Sequence, residues 1–532
     1  MKTYVFFIGG TGARVLRSMT MLLASGVKIA NNNTIVPIVI DYDAQNGDLK
    51  RSDDLMKEYC ELHQIGKYEN NEKGFFAAKI ENTKNFQLVN VSVKQNRETF
   101  AKFIGYNSLD DVDKLLLQAL YNDAKIEPKD QTSDNKPAEE KDILTELNLD
   151  LSIGFQGNPN IGTVVFNEYF RDPSYGYQNF VNDFGEGDRV FVVGSIFGGT
   201  GSSGFPQLIK RFRQSGNKVS GGNNTALTNA PVGGCLVLPY FKVKPKADSS
   251  IDSMTFYSKA KAALTYYNQE INSLMDEIYY VGCDKRLAPY ENIKGGKDQK
   301  NDAHLVEMIS AMSIIEFANR DAMQFTSRKE KNSATCYEFR VNSGLIGGEN
   351  EQLKDESFLD LFGTTLGNTM AAGSLYEKYI YHLNSFAFFA KYCQDFTYNT
   401  ITKGLFKKSL VSRDYGEAYY EFLEQYIKKE TNFGQKLCNF EEKFIEWVNQ
   451  LATNSQLKVN MYDFSKGLDS LLNIQGTDTD IKKMNPEGVI KKTLAVERAE
   501  YKETSGKVEG EKIFLRIGTK AGNAAADTLN NN

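Results

Sequence analysis

Residues 194–205 read GSIFGGTGSSGF and set Gly198, Gly199, Gly201 and Gly204 around Thr200, Ser202 and Ser203. Glycine at this density lets a backbone lie close against a ligand. Successive amide N–H groups with the three hydroxyls would form a nest suited to an anion. The chemistry implied is the holding of phosphate by main-chain hydrogens. A second glycine turn, FIGGTGAR, opens the chain, with Gly9, Gly10 and Gly12 leading into a helical pattern whose first N–H groups and dipole suit the same ligand. The sequence has no G-x-x-x-x-G-K-[ST], so a lysine-based phosphate loop is excluded. Taken alone, the first turn also fits a dinucleotide site, with Asp41 or Asp43 where a ribose-binding acid belongs. There the third glycine of G-x-G-x-x-G falls on Val15.

Other chemistries find little support. The only histidines, His63, His304 and His382, stand apart from any patterned ligand set or Ser-His-Asp arrangement. No register of the glycine-rich stretch gives the G-x-S-x-G nucleophile elbow. The six cysteines are scattered singly with no C-x-x-C, so neither a disulfide framework nor a zinc site is expected and a reducing cytoplasm is. The net charge of −5, from 63 Lys+Arg against 68 Asp+Glu, has no basic block, which argues against nucleic acid as a direct partner. No apolar run approaches the ~18 residues of a membrane span.

The elements that must position these loops are legible from periodicity. TYVFFIG and TIVPIVIDYD read as buried strands around the helical VLRSMTMLLAS, a βαβ unit. DRVFVVG, VGGCLVLPYF and EIYYVGC continue the pattern, alternating with helices over 205–214, about 253–276 and about 302–318. Residues 1–320 are therefore expected to form an open, mostly parallel α/β sheet flanked by helices, with an insert around 52–150 and ligands at the carboxyl ends of the strands. Within the insert, FQLVNVSV is a possible strand and residues 128–142 a charged surface excursion. Residues 321–516 read as a mainly helical module with strands at CYEFRVNS and KIFLRIG. Its aromatic helices are expected to serve as core or as a face for a protein partner. Residues 517–532 read as a disordered tail.

The order of the loops resembles the tubulin and FtsZ superfamily of GTP-binding proteins, and more narrowly the divergent bacterial tubulin-like proteins. The signature GGGTG[ST]G of that superfamily appears here as FGGTGSSG, NTDAQ as DYDAQ at residues 41–45, and the GGNP…IG loop as QGNPNIG at residues 156–162. A Gln-x-Asn…Ala-His pattern of the bacterial group is matched by QKNDAH from Gln299. The resemblance covers roughly the first 320 residues. It implies that Gly10, Thr11 and Gly12 contact phosphate from one side and that Asp43, Ala44 and Gln45 lie near phosphate and ribose. It further implies that Gly157 and Asn158 cover the terminal phosphate, that Gly198, Gly199, Thr200, Gly201, Ser202 and Ser203 hold the α- and β-phosphates, and that Asn301 or Asp302 meets the guanine edge. A helix cap is the competing role for those last two, and His304 reads as a packing residue.

The same resemblance implies GTP or GDP with Mg²⁺ and slow hydrolysis completed by a second subunit in a head-to-tail homo-oligomer or filament. The water-orienting N-x-D-x-x-D loop of FtsZ corresponds to NRDAMQ, with Asn319 and Asp321 kept and Gln324 in place of the second acid. Two other functions fit the sequence. One is a pseudo-GTPase scaffold whose helical half recruits a partner; the other is an NAD-dependent oxidoreductase using the first βαβ unit alone.

Overall fold

Six consecutive residues of the first strand, Thr3 to Ile8, are buried, as a strand must be when helices cover both faces of its sheet. The computed structural model describes residues 1–30, 33–43, 45–68, 72–81, 99–120, 146–171, 176–215, 224–245, 253–283, 289–291, 293, 295–325, 334–341, 358–360, 375–397, 426, 431–454 and 510–530. The expected strand FQLVNVSV, the excursion at 128–142 and Ala44 lie outside them.

In chain order the first elements are β1 (Lys2–Ile8), α1 (Gly9–Ala24), β2 (Thr34–Ile40), α2 (Gly47–Gly66), α3 (Phe100–Phe103), α4 (Asp111–Leu120), α5 (Pro159–Arg171) and α6 (Tyr177–Asp183). Then come β3 (Arg189–Ser195), α7 (Gly199–Gln214), α8 (Thr225–Asn229), β4 (Val232–Val237), α9 (Ser253–Glu270), β5 (Glu277–Cys283) and α10 (Leu305–Asn319). The last are β6 (Thr335–Val341), β7 (Phe358–Asp360), α11 (Leu375–Thr397), α12 (Asn432–Asn454) and α13 (Gly510–Asn530). The fold is α/β. Its seven strands lie in the order β2-β1-β3-β4-β5-β6-β7, every neighbouring pair parallel.

Local sequence accounts for several choices. Pro37 sits inside β2 without breaking it because β2 is the outermost full strand. The Ile35 amide already points outward, to the Lys79 carbonyl at 3.1 Å, so two residues on the missing proline N–H costs the ladder nothing. Helix α10, LVEMISAMSIIEFAN, is apolar on nearly all sides, and all its residues except Glu316 and Asn319 are buried. Such a helix belongs in the interior.

Beyond residue 320 the chain stays joined to the part before it. β6 pairs with β5 over seven residues, and α11, α12 and α13 lie against α1 and α2. Trp447 of α12 is fully buried and donates to Ser18 Oγ of α1 at 3.3 Å. Phe386 of α11 meets Phe75, Phe76, Phe440 and Phe444 with ring centroids 4.7–5.5 Å apart for all but Phe440, which is 6.3 Å away. These aromatic residues of the helical half are core. KIFLRIG is not the strand expected of it, and residues 517–530 are not a disordered tail, for both lie in α13. Ile513, Phe514, Ile517, Ala521 and Ala525 recur at helical spacing and are buried, a pattern with alanine as its apolar partner that is easily taken for a polar tail. Among the described residues no helix is long and apolar enough to cross a membrane.

Candidate functional site

A cavity of about 160 Å³ opens at the carboxyl ends of β1, β2 and β3. Both glycine turns form part of it. Gly9, Gly10 and Thr11 are the first turn of α1, and Gly199, Thr200 and Gly201 the first turn of α7, and all six line the cavity. Neither helix has a side-chain N-cap, since Ile8 and Gly198 occupy those positions. The first N–H groups of both helices therefore have no intrahelical partner and no capping oxygen. Two positive dipole ends face one space.

Tight packing brings the two ends together. Gly9 has φ +69°, which glycine adopts without strain, and a Cβ there would lie 3.2 Å from Thr200 Cβ. A Cβ on Gly201 would come within 2.5–2.7 Å of the Ser195 backbone, so glycine is what lets α7 start against the end of β3. Gly12 does the same for α1. A Cβ there would sit 2.6 Å from the Phe7 carbonyl carbon, and Gly12, expected at a phosphate, is outside the cavity lining.

The serine hydroxyls of the expected nest are engaged within α7. Ser202 Oγ donates to the Gly198 carbonyl, and Ser203 Oγ donates to Gly199 O at 2.7 Å. Both are turned back onto the carbonyl four residues earlier, a common choice for serine within a helix. Of the three hydroxyl residues only Thr200 lines the cavity.

The loop before α5 forms another wall. Gly154, Gln156 and Gly157 have φ of +80°, +45° and +82°, and Ile153 to Gly157 line the cavity. Lys259 of α9 donates to Gly157 O at 2.6 Å and pins the turn. Asn158 is not a lining residue; its amide donates to Phe155 O at 2.8 Å.

Asp41 and Asp43 close β2 and both line the cavity. Asp43 accepts from Gly296 N at 2.6 Å and Gln45 N at 3.1 Å, while Gln45 itself is exposed and outside the lining. Burial, reinforced by the neighbouring Asp43, pushes the Asp41 carboxyl up to about 7. Opposite, Phe197, Phe241, Phe256 and Tyr290 make an aromatic wall. Asn301 lines the cavity and Asp302 is exposed beyond it. Neither caps α10. His304 is the N-cap, its Nδ1 accepting from Val306 N at 3.1 Å while Glu307 accepts from His304 N, so His304 is a capping residue where packing was expected.

Sequence reasoning passed over the cavity floor. Arg14 is buried there with Nε 2.6 Å from Glu307 Oε1, Nη1 2.7 Å from Asp48 Oδ2 and Nη2 2.8 Å from the Tyr240 hydroxyl. Burial works against its charge, but Tyr240, Glu307 and Asp48 outweigh it and hold its pKa up. Its signal in the sequence is the lone cation of GGTGAR, four residues after Gly10, in a stretch otherwise without charge.

Asn319, Asp321 and Gln324 are not at the cavity. They lie at and just beyond the carboxyl end of α10, which runs back along the sheet to where the strands begin. There Asn319 accepts from Ala30 N at 2.7 Å and donates to Lys28 O at 3.0 Å, just before β2, and Arg320 pairs with Glu277, the first residue of β5, at 3.1 Å. Asp321 is exposed and its carbonyl accepts from Gln324 N at 3.0 Å. Among the described residues no group of three or more His, Cys, Asp or Glu side chains could hold a metal. No known protein family matches this chain, and no curated protein or solved structure is similar enough to count as a match.

Proposed function

We propose that this chain is a tubulin-like GTP-binding protein that self-associates head to tail and hydrolyses GTP slowly. The observation that supports this most is the pair of uncapped helix N-termini, α1 and α7, opening on one cavity. Two such ends suit a ligand with more than one phosphate, whereas a dinucleotide fold needs only the first. The aromatic wall suits a base. Asp43, and Asp41 where it is ionised, would repel bare phosphates, so a ligand carried with Mg²⁺ fits the lining better than a free anion.

A single molecule keeps Asp321 away from its own cavity, at the other end of the strands. A second molecule stacked along the strand direction would bring its Asp321 toward the first one's ligand, and that is the arrangement we propose for turnover. The test is direct. Purified protein is denatured, the released small molecules are chromatographed, and GTP and ATP affinities are measured with Mg²⁺ present. Guanine nucleotide in the extract, or GTP taken up in preference to ATP, is the expected outcome. An empty extract with no uptake of either would sink the reading.

A further inference from the structure

Asn46 is the N-cap of α2, its Oδ1 accepting from Asp48 N at 2.9 Å and Leu49 N at 3.3 Å. That fixes the sense of its amide, because only the oxygen can cap a helix and only the NH₂ remains to donate. The Asn46 Nδ2 donates to Gln299 Oε1 at 2.7 Å. The Gln299 amide is fixed in turn. Its oxygen is engaged as an acceptor, and what it can offer a ligand is the Nε2 donor. Gln299 lines the cavity, and its backbone is held as well, Asp48 N donating to Gln299 O at 3.0 Å and Gln299 N to Gly296 O at 3.1 Å. A helix cap thus sets, through two amides, the polarity of a group at the cavity wall.

We infer that Gln299 selects the base, donating from Nε2 to the ring carbonyl of a 6-oxopurine and disfavouring a 6-aminopurine, which presents a donor at the same place. This rests on the nucleotide reading above and adds a residue to it: Asn301 also lines the wall, but among the described residues no partner fixes its side-chain amide as the N-cap fixes that of Gln299. The exposed Asp302 has no part in selection.

The experiment measures equilibrium affinities of the full chain for the triphosphates of guanosine, inosine and adenosine with Mg²⁺. Inosine keeps the carbonyl and lacks the 2-amino group. The wild type should bind the guanosine and inosine nucleotides within a few-fold of each other and the adenosine nucleotide about tenfold or more weakly, the discrimination expected when one donor meets another. Gln299→Glu still accepts from Asn46 but presents an acceptor to the base, so the guanosine-to-adenosine ratio should fall about tenfold or invert. Gln299→Leu should bring the two nucleotides close together by weakening guanosine binding. Thermal melting of each variant checks that the fold is kept.

A wild type that binds adenosine and guanosine triphosphates equally overturns the inference even if no variant folds. Ratios unchanged in both variants overturn it too. Failure of the wild type to bind any of the three is a different result and overturns the nucleotide reading itself.

Discussion

Arg14 Nε lies 2.6 Å from Glu307 Oε1 and ties the second turn of α1 to the first turn of α10 through the interior. Asp48 of α2 takes another edge of the same guanidinium, and Tyr240 donates to Glu307 Oε1 at 2.6 Å. Three elements around the cavity therefore share one buried cation. Arg14→Met leaves two carboxylates in the interior without it, and removing one partner of a buried pair typically costs about 3–5 kcal/mol. Chemical denaturation should show a loss of that order, and Arg14→Met combined with Glu307→Gln should lose less than the sum of the two. Strict additivity would mean that the two side chains are not coupled.

The glycines of the two turns differ in what they tolerate. Gly201→Ala forces a methyl against the Ser195 backbone and should cost about 1–3 kcal/mol as overpacking. At Gly10 the nearest atoms to a Cβ are 3.4 and 3.6 Å away and φ is ordinary, so Gly10→Ala should leave stability unchanged or raise it by a few tenths of a kcal/mol. Equal melting temperatures for the two variants would contradict this packing.

Thr200 offers a cleaner way to block the ligand. An aspartate there is of similar size and sits in the first turn of α7, where a negative charge is worth about 0.3–1 kcal/mol to the helix. Thr200→Asp should therefore fold at least as well as the wild type while losing at least about tenfold in phosphate-ligand affinity through charge repulsion. Calorimetric titration with nucleotide checks it, and unchanged affinity would place the ligand elsewhere.

Asp41 should leave a mark on stability against pH. Its folded pKa, about 7, is above the ~3.9 of an unfolded aspartate. The folded chain thus holds a proton that the unfolded chain has lost between those values, and the group withdraws stability as pH rises from about 4 to about 7. His304, pushed down to about 4 by burial and then by Arg14, acts with the opposite sign: its contribution is present above ~6.5 and lost as pH falls toward 4. Subtracting the wild-type curve from that of Asp41→Asn isolates the first effect. The variant should gain relative stability as pH rises through that window, and a flat difference curve would show that Asp41 is ordinarily ionised.

Turnover shared between molecules can be tested by mixing. Asp321→Ala should bind nucleotide normally and turn over slowly or not at all, because it lies away from the cavity of its own chain. Thr200→Asp should stay largely empty at a nucleotide concentration that fills the Asp321→Ala cavities. Mixed together, the first supplies loaded cavities and the second an intact Asp321, so phosphate release should return in the mixture alone. If neither Asp321→Ala nor mixing changes the rate, Asp321 has no part in hydrolysis.

Range along the chain decides how much of the molecule is legible in its sequence. The βαβ start, the strands DRVFVVG and EIYYVGC and the glycine turns GGTGAR and GGTGSSG are readable because each is a local pattern of burial and turn, whereas the meeting of the two turns is legible only through the order of loops that the resemblance supplies. The serine hydroxyls were misjudged because Ser202 and Ser203 chose carbonyls one turn back, a choice made by helix geometry rather than by residue type. Arg14, Asp48 and Glu307 could not be grouped from sequence, since 34 residues separate the first pair and 293 separate Arg14 from Glu307. The helix α13 was missed because alanines bury too little area each to stand out in composition, although together they pack against α11.

The chain holds one tryptophan, and it is wedged between α12 and α1. Its indole is thus a built-in lamp on the far side of the helix whose other end faces the cavity. Any occupant that draws α1 toward α7 will disturb the Ser18 contact, and the emission of an untagged, unlabelled sample will report it in real time.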